Sequence, residues 1–163
     1  MSANSAIIRD LTDKVLCAWG QIPAPPAEDL QYMAWACGED AWREFVNKPP
    51  VKVDISTPAF LACTPLFDLP PGAAAAYLGT YLLSLLASLE FQEESQIFYD
   101  ILTRSHVLAC LSDPNFWEHV IRPNLHGECR TALTELVSYL ASRRKLLGLS
   151  NQELEQIVTA SMI

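Results

Sequence analysis

The sequence contains few charged residues, and the basic ones are the scarcer kind. Of its 163 residues, 18% are charged, against about 25% in typical soluble domains, and half are apolar. This composition excludes an intrinsically disordered chain, which needs low hydrophobicity and high net charge. With 11 basic and 19 acidic residues the formal net charge is −8. Nucleic-acid binding is therefore not expected, because few cations are available to displace counterions; a protein partner with a basic surface suits the charge better.

Sequence motifs that mark an active site are missing as well. The six glycines form no phosphate-binding loop, and neither Gly-x-Ser-x-Gly nor His-Glu-x-x-His occurs. His126 and Cys129 have the spacing of a metal-ligand pair, but no second pair accompanies them. We therefore interpret the three histidines, His106, His119 and His126, as surface or capping residues. The sequence predicts no enzyme, no catalytic residue, no cofactor and no metal site.

Cysteine and tryptophan usage indicates core packing. The cysteines occur singly, mostly among apolar residues, which predicts reduced thiols in a cytoplasmic protein rather than a disulfide framework. They are Cys17, Cys37, Cys63, Cys110 and Cys129. Tryptophans 19, 35, 42 and 117 sit beside apolar residues at helical spacing, so we expect them in the core, with interface anchors as the alternative. The N-terminus has no basic and apolar regions of a signal peptide.

Helical periodicity runs through almost every segment, which predicts an all-α fold. The first helix is expected from about Ser5 to Trp19, and a second carries Leu30, Met33 and Cys37 and ends at Gly38. Residues 51–55 alternate like a strand, but a lone strand has no pairing partner, so we expect an extended loop. Later helices are predicted near 97–112, 114–121 and 124–147, and Ser150 with Glu153 forms a capping box before the last one.

Residues 69–89 form the most distinctive segment, because no charge occurs between Asp68 and Glu90. The segment is long enough to cross a bilayer, but its flanks are acidic and its first half is rich in alanine. We interpret it as a central helix over residues 70–89 that is buried on nearly all sides. Small residues at every fourth position predict a close helix crossing along one face. They are Gly72, Ala76, Thr80, Ser84 and Ser88. The overall prediction is one domain over residues 1–163, an orthogonal or irregular bundle of about seven to eight helices.

Two acidic clusters are the candidate partner-binding residues. Residues 57–123 carry seven acidic and two basic side chains, so the acidity is concentrated in the middle of the chain. The first cluster is Glu90, Glu93, Glu94 and Asp100, and the second is Glu39, Asp40 and Glu44, beside Trp42. Either cluster is a docking surface for a basic partner, or a solvated face that keeps the protein soluble.

The helix that begins after Asp68 also carries a resemblance. Its pattern is Leu-x-x-Leu-x-Pro-x-Ala-x-x-x-Tyr-Leu-x-x-Tyr-Leu, formed by Leu66, Leu69, Pro71, Ala73, Tyr77, Leu78, Tyr81 and Leu82. This pattern resembles a family of small bacterial helical proteins of uncharacterised function. The resemblance implies a helical domain and assigns no catalytic residue.

A small, acidic helical protein without active-site motifs predicts a function carried by its surface. The leading hypothesis is a cytoplasmic immunity-type protein, a toxin–antitoxin partner that neutralises a cognate bacterial toxin or effector by direct occlusion. The alternative is an adaptor or chaperone for a secreted protein, which predicts a dimer with an exposed apolar groove. Neither a nucleic acid nor a membrane is an expected partner.

Overall fold

The structure is helical through most of the chain that it describes. This computed structural model describes residues 3–55, 65–90, 97–143 and 149–162, and for residues 3 and 97–103 the backbone alone. Its first helices are α1 (Ala3–Gly20), α2 (Gln31–Cys37) and α3 (Glu39–Phe45). They are followed by α4 (Pro65–Asp68), α5 (Pro71–Glu90), α6 (Ile97–Ser112), α7 (Pro114–Phe116), α8 (Arg122–Asn124), α9 (Gly127–Ser142) and α10 (Asn151–Met162). The all-α prediction is confirmed, and the described residues contain no strand.

Helix α5 is the central helix, as predicted, with its bounds shifted by one residue. Fourteen of its twenty residues are buried. Its length and a mean hydropathy of 1.4 over its most apolar stretch would suit a membrane span. However, 78% of the residues in this stretch are buried inside the protein. Helices α1, α4 and α6 and the segment 117–124 pack directly on α5, while α9 packs on α1 and α10 packs on α6 and α9. The uncharged helix is therefore covered by other helices of the same chain.

The closest approach of α1 to α5 occurs at Gly79. A Cβ atom at this position would lie 2.2 Å from Cγ of Trp19, and the indole Nε1 donates to the carbonyl oxygen of Ala75 at 3.2 Å. Trp19 is fully buried. Glycine is thus required because only a position without a side chain lets the indole ring reach the helix backbone.

The small-residue row from Gly72 to Ser88 does not form this crossing, so that prediction placed the close contact on the wrong face. Gly79 is offset from the row by one position. In the row itself, the hydroxyl of Thr80 donates to the carbonyl oxygen of Pro50 at 2.6 Å, in a 3-10 turn over Pro50–Lys52. At its middle the row therefore accommodates a turn of the loop, whereas at one end Ser88 accepts from Arg104 of α6 at 3.4 Å.

Tyr77 of α5 contacts the end of α3. Its hydroxyl donates to the carbonyl oxygen of Phe45 at 3.0 Å and lies 3.4 Å from that of Lys48. The rings of Tyr77 and Phe45 meet edge to face with centroids 4.6 Å apart. Burial raises the pKa of Tyr77 to about 12, so the hydroxyl stays protonated and remains a donor. This contact fixes the end of α3, and α2 packs on α3 and α4.

Local capping signals are confirmed where they are described. The Ser150 hydroxyl accepts from the backbone N–H of Glu153 at 3.1 Å, and the Glu153 carboxylate accepts from the Ser150 backbone N–H at 2.9 Å. Asp113 caps α7 by accepting from the backbone N–H of Asn115 at 2.9 Å. The end of the predicted helix 124–147 lies outside the described residues.

Between α7 and α8 the helix passes through a π-helical turn, Trp117–Ile121. Pro123 explains this turn: it has no N–H to donate to residue 119, and its ring crowds that carbonyl. The backbone N–H of Arg122 donates instead to the carbonyl oxygen of Trp117, five residues back. The helix that was predicted over 114–121 therefore runs three residues further, to Asn124, and α9 begins at Gly127 rather than at residue 124.

We expect Gly79→Ala to lower the free energy of unfolding by about 3 kcal/mol, because its Cβ would overlap the buried indole ring of Trp19. Gly72→Ala is the matched control, since its Cβ would meet nothing nearer than 3.8 Å. That change should stabilise the protein by up to about 1 kcal/mol, through the better helix propensity of alanine. Urea denaturation measures both, and equal effects of the two variants would contradict the assigned crossing.

Candidate functional site

Helix α2 presents an exposed aromatic pair. Leu30 and Met33 point into the core and are buried, whereas Tyr32 is 49% exposed and Trp35 is 81% exposed. The ring centroids of Tyr32 and Trp35 lie 5.5 Å apart. The expectation that Trp35 lies in the core is wrong. Residues 30, 33 and 37 define the inner stripe of this helix, and position 35 falls on the opposite side.

Acidic residues flank the pair at both ends of α2. Glu28 is exposed in the 3-10 turn before α2, and Glu39 and Asp40 are exposed at the start of α3. Gly38, whose φ of +92° suits glycine, makes the turn between the two helices. We call Glu28, Tyr32, Trp35, Glu39 and Asp40 the aromatic–acidic surface. No lysine or arginine occurs between residues 15 and 42, so this segment is uniformly acidic.

The three members of the second predicted cluster have different surroundings. Glu44 links α3 to the loop that follows it. Its carboxylate accepts from Lys48 Nζ at 2.6 Å and from the backbone N–H of Asp54 at 3.0 Å. The hydrogen bond from Lys48 is the main reason that the pKa of Glu44 is lowered. Glu39 forms an exposed ion pair with Arg43 at 2.9 Å. Asp40 and Glu39 are the members of this cluster that remain most open to a partner.

The first predicted cluster is placed only in part. Glu90 is exposed at the last position of α5. Asp100 lies on α6, where the backbone alone is described, and Glu93 and Glu94 lie outside the described residues. A docking role for these four residues stays a prediction.

His106 and Cys110 are the one described histidine–cysteine pair on a shared helix face. The Nδ1 of His106 lies 4.0 Å from the Cys110 Sγ on α6. His106 is 7% exposed, between the rings of Phe67 and Tyr81, so its interpretation as a surface or capping residue is wrong. Burial lowers the pKa of His106 to about 4 and raises that of Cys110. Both groups are therefore neutral near pH 7, whereas a nucleophilic pair needs a thiolate.

The other described histidines and cysteines do not come together in a catalytic or metal site either. His119 and His126 are exposed, and His126 Nε2 lies 3.1 Å from the carbonyl oxygen of Pro123. Cys110 and Cys129 are free and buried, and Cys17 is free and exposed. Cys37 is partly buried, and Cys63 lies outside the described residues. Within the described chain, no group of three or more histidine, cysteine, aspartate or glutamate side chains is arranged to hold a metal ion.

The surface grooves among the described residues include three of 240 to 470 Å³. A groove of about 470 Å³ lies between α1 and α9 and includes Cys17. One of about 320 Å³ lies between the 114–124 helix and α10, and one of about 240 Å³ lies beside Thr80. None of these three is lined by a histidine. The aromatic–acidic surface is thus the feature of the described chain that most needs a functional explanation.

No family model, curated protein or solved structure matches this chain. The resemblance of the tyrosine helix to a family of small bacterial proteins stays a prediction. In the structure its two tyrosines are packing residues: Tyr77 holds α3, and Tyr81 packs edge to face on His106.

Stability should fall as the pH drops from about 6.5 towards 4, because protonation of His106 is favoured in the unfolded chain and opposed by burial in the folded one. The shift from 6.5 to about 4 corresponds to about 3 kcal/mol at full protonation. Most of the loss between pH 6.5 and 5 should disappear in His106→Gln, measured by urea denaturation at each pH. His119→Gln is the exposed control and should show the same dependence of stability on pH as the native chain. If His106→Gln also kept that dependence, the assignment of the effect to His106 would be contradicted.

Proposed function

We propose that this protein is an immunity-type binding protein that neutralises a basic bacterial toxin or effector in the cytoplasm by direct occlusion, and that the aromatic–acidic surface makes the contact. The observation that carries the proposal is Trp35, which is 81% exposed beside Tyr32 and acidic side chains. Tryptophan and tyrosine are the residues most enriched among those that dominate binding energy at interfaces.

The fold itself gains little from the indole ring of Trp35, whereas Tyr32 is half-buried. Leu30, Met33 and Phe45 already supply the buried contacts of the α2–α3 unit, at 0% or 1% exposure. The exposed rings leave apolar area in water that a partner can cover. Because α3 is held by Tyr77 and α2 packs on α3 and α4, the surface is largely formed before binding, which reduces the entropy lost on association.

Charge supports a basic partner. Glu28 precedes α2, and Glu39 and Asp40 follow it; Glu39 pairs with Arg43, and the whole chain carries −8. Opposite charges accelerate encounter and disfavour acidic competitors. An exposed tryptophan face also attracts lysine or arginine through a cation–π contact, worth about 0.5–1 kcal/mol at an exposed site.

We expect Trp35→Ala to weaken binding of the cognate effector about thirtyfold, corresponding to about 2 kcal/mol for an interface anchor, with little change in thermal midpoint. Asp40→Lys should slow association and reduce its dependence on salt. The measurement is surface plasmon resonance with the basic effector encoded beside the gene, together with survival of cells that express both.

Two variants match these changes elsewhere on the surface. Leu16→Ala removes an apolar side chain that is 43% exposed on α1, and Glu118→Lys reverses an exposed charge on the π-helical turn. Both should leave affinity and protection unchanged. Full binding and protection by Trp35→Ala and Asp40→Lys would contradict the assignment of this surface. If the native chain did not bind the effector, the proposed function itself would be wrong.

The alternative of an adaptor for a secreted protein rests on a different feature, the groove of about 470 Å³ between α1 and α9. An ion pair of 2.6 Å between Lys14 and Glu135 joins the two helices at this groove. An adaptor of this kind is expected to be a dimer. Light scattering separates the two functions, since a monomer counts against the adaptor.

A further inference from the structure

The groove between the 114–124 helix and α10 is unlike the rest of this acidic surface, because an arginine lines it. Its volume is about 320 Å³, within the range of small-molecule sites. Arg122 lines one side, and Gln152, Gln156 and Thr159 line the side formed by α10. Amide and hydroxyl groups from successive turns of one helix thus face a guanidinium group across the groove.

Arg122 is left without a polar partner among the described residues. Its Nε is buried and makes no hydrogen bond there, although a buried donor of this kind usually has a partner, a water or an ion. Glu155 lines the same groove, but it does not come within 4.0 Å of Arg122 to form an ion pair. The hydrogen-bonding capacity of Arg122 is thus not taken up by the described residues, and a ligand can reach it through the part of the guanidinium group that lines the groove.

A second arginine adds positive charge at the same corner. The guanidinium carbon of Arg130 lies 5.3 Å from the ring centroid of Trp117, the first residue of the π-helical turn that ends before Arg122. Burial lowers the pKa of Arg130, and the positive charge of Arg122 lowers it further. Neither arginine forms an ion pair with a carboxylate in the described chain, so no direct ion pair offsets their mutual repulsion.

We propose that this groove binds a small molecule carrying a phosphate group, with the phosphate held by Arg122 in the positive field of Arg130. Phosphate is favoured because it carries nearly two negative charges at pH 7 and offers several acceptor oxygens to a guanidinium fork. The side chains of Gln152, Gln156 and Thr159 then hydrogen-bond the polar remainder of the ligand. This site is separate from the aromatic–acidic surface and does not depend on its function.

The test is a titration of the native chain with inorganic phosphate and with glycerol phosphate, at constant ionic strength maintained with sodium chloride. We expect both to raise the thermal midpoint and to shift the Nε–H resonance of Arg122. Glycerol phosphate should bind more tightly, because its hydroxyls reach the α10 side chains. Equal affinities would overturn the assigned role of those side chains.

Three variants locate the site. Arg122→Gln should weaken binding at least tenfold, as expected for loss of a charge-assisted hydrogen bond. Glu155→Gln should strengthen binding several-fold, because it removes a negative charge from the groove. Arg9→Gln on α1 removes an exposed arginine elsewhere and should have no effect.

Identical responses in phosphate and in sodium chloride alone would overturn the proposal, as would unchanged affinity in Arg122→Gln. If Arg122→Gln does not fold, the Nε–H resonance of the native protein and the affinity of Glu155→Gln decide the question. An unmoved resonance together with unchanged Glu155→Gln affinity overturns it equally.

Discussion

The contact between Trp19 and Gly79 sets how closely α1 approaches the central helix. Helix α5 carries no charge before its last residue, Glu90, and fourteen of its twenty residues are buried, so neighbouring elements must cover most of its surface. Close packing needs small residues at the contact, and here the indole ring occupies the space of a missing side chain and donates to the carbonyl oxygen of Ala75. Helix α9 then packs on α1, so the position of the outer helix also depends on this one contact.

This arrangement leaves Tyr32 and Trp35 of the aromatic–acidic surface outside the core. Tyr77 ties the end of α3 to the central helix, and Phe45, Leu30 and Met33 fill the space beneath α2 and α3. Trp35, at 81% exposure, contributes little to this core. Its exposed apolar area is the feature on which the proposed partner contact rests.

Features that depend on residues close in sequence were predicted correctly. Contacts between residues far apart in sequence were not. The capping box of Ser150 and Glu153 and the bounds of α5 depend on residues close in sequence. The Trp19–Gly79 contact joins residues sixty positions apart, so the small-residue pattern suggested the wrong face. Trp35 was missed although the signal existed, because the stripe of Leu30, Met33 and Cys37 already placed it outside. The burial of His106 and the link from Glu44 to the following loop depend on neighbours that only the fold brings together.

The structure also changes how the net charge is understood. The sum of charges along the sequence points to Glu90, Glu93, Glu94 and Asp100. Such a sum does not show which charges form ion pairs. In the described chain Glu44 and Glu135 are engaged by lysines, whereas Arg122 and Arg130 have no carboxylate partner. Unpaired charge thus occurs with both signs, negative beside Trp35 and positive beside the π-helical turn. The two proposed sites therefore differ in the sign of their charge, although each lies next to an aromatic residue on a helix.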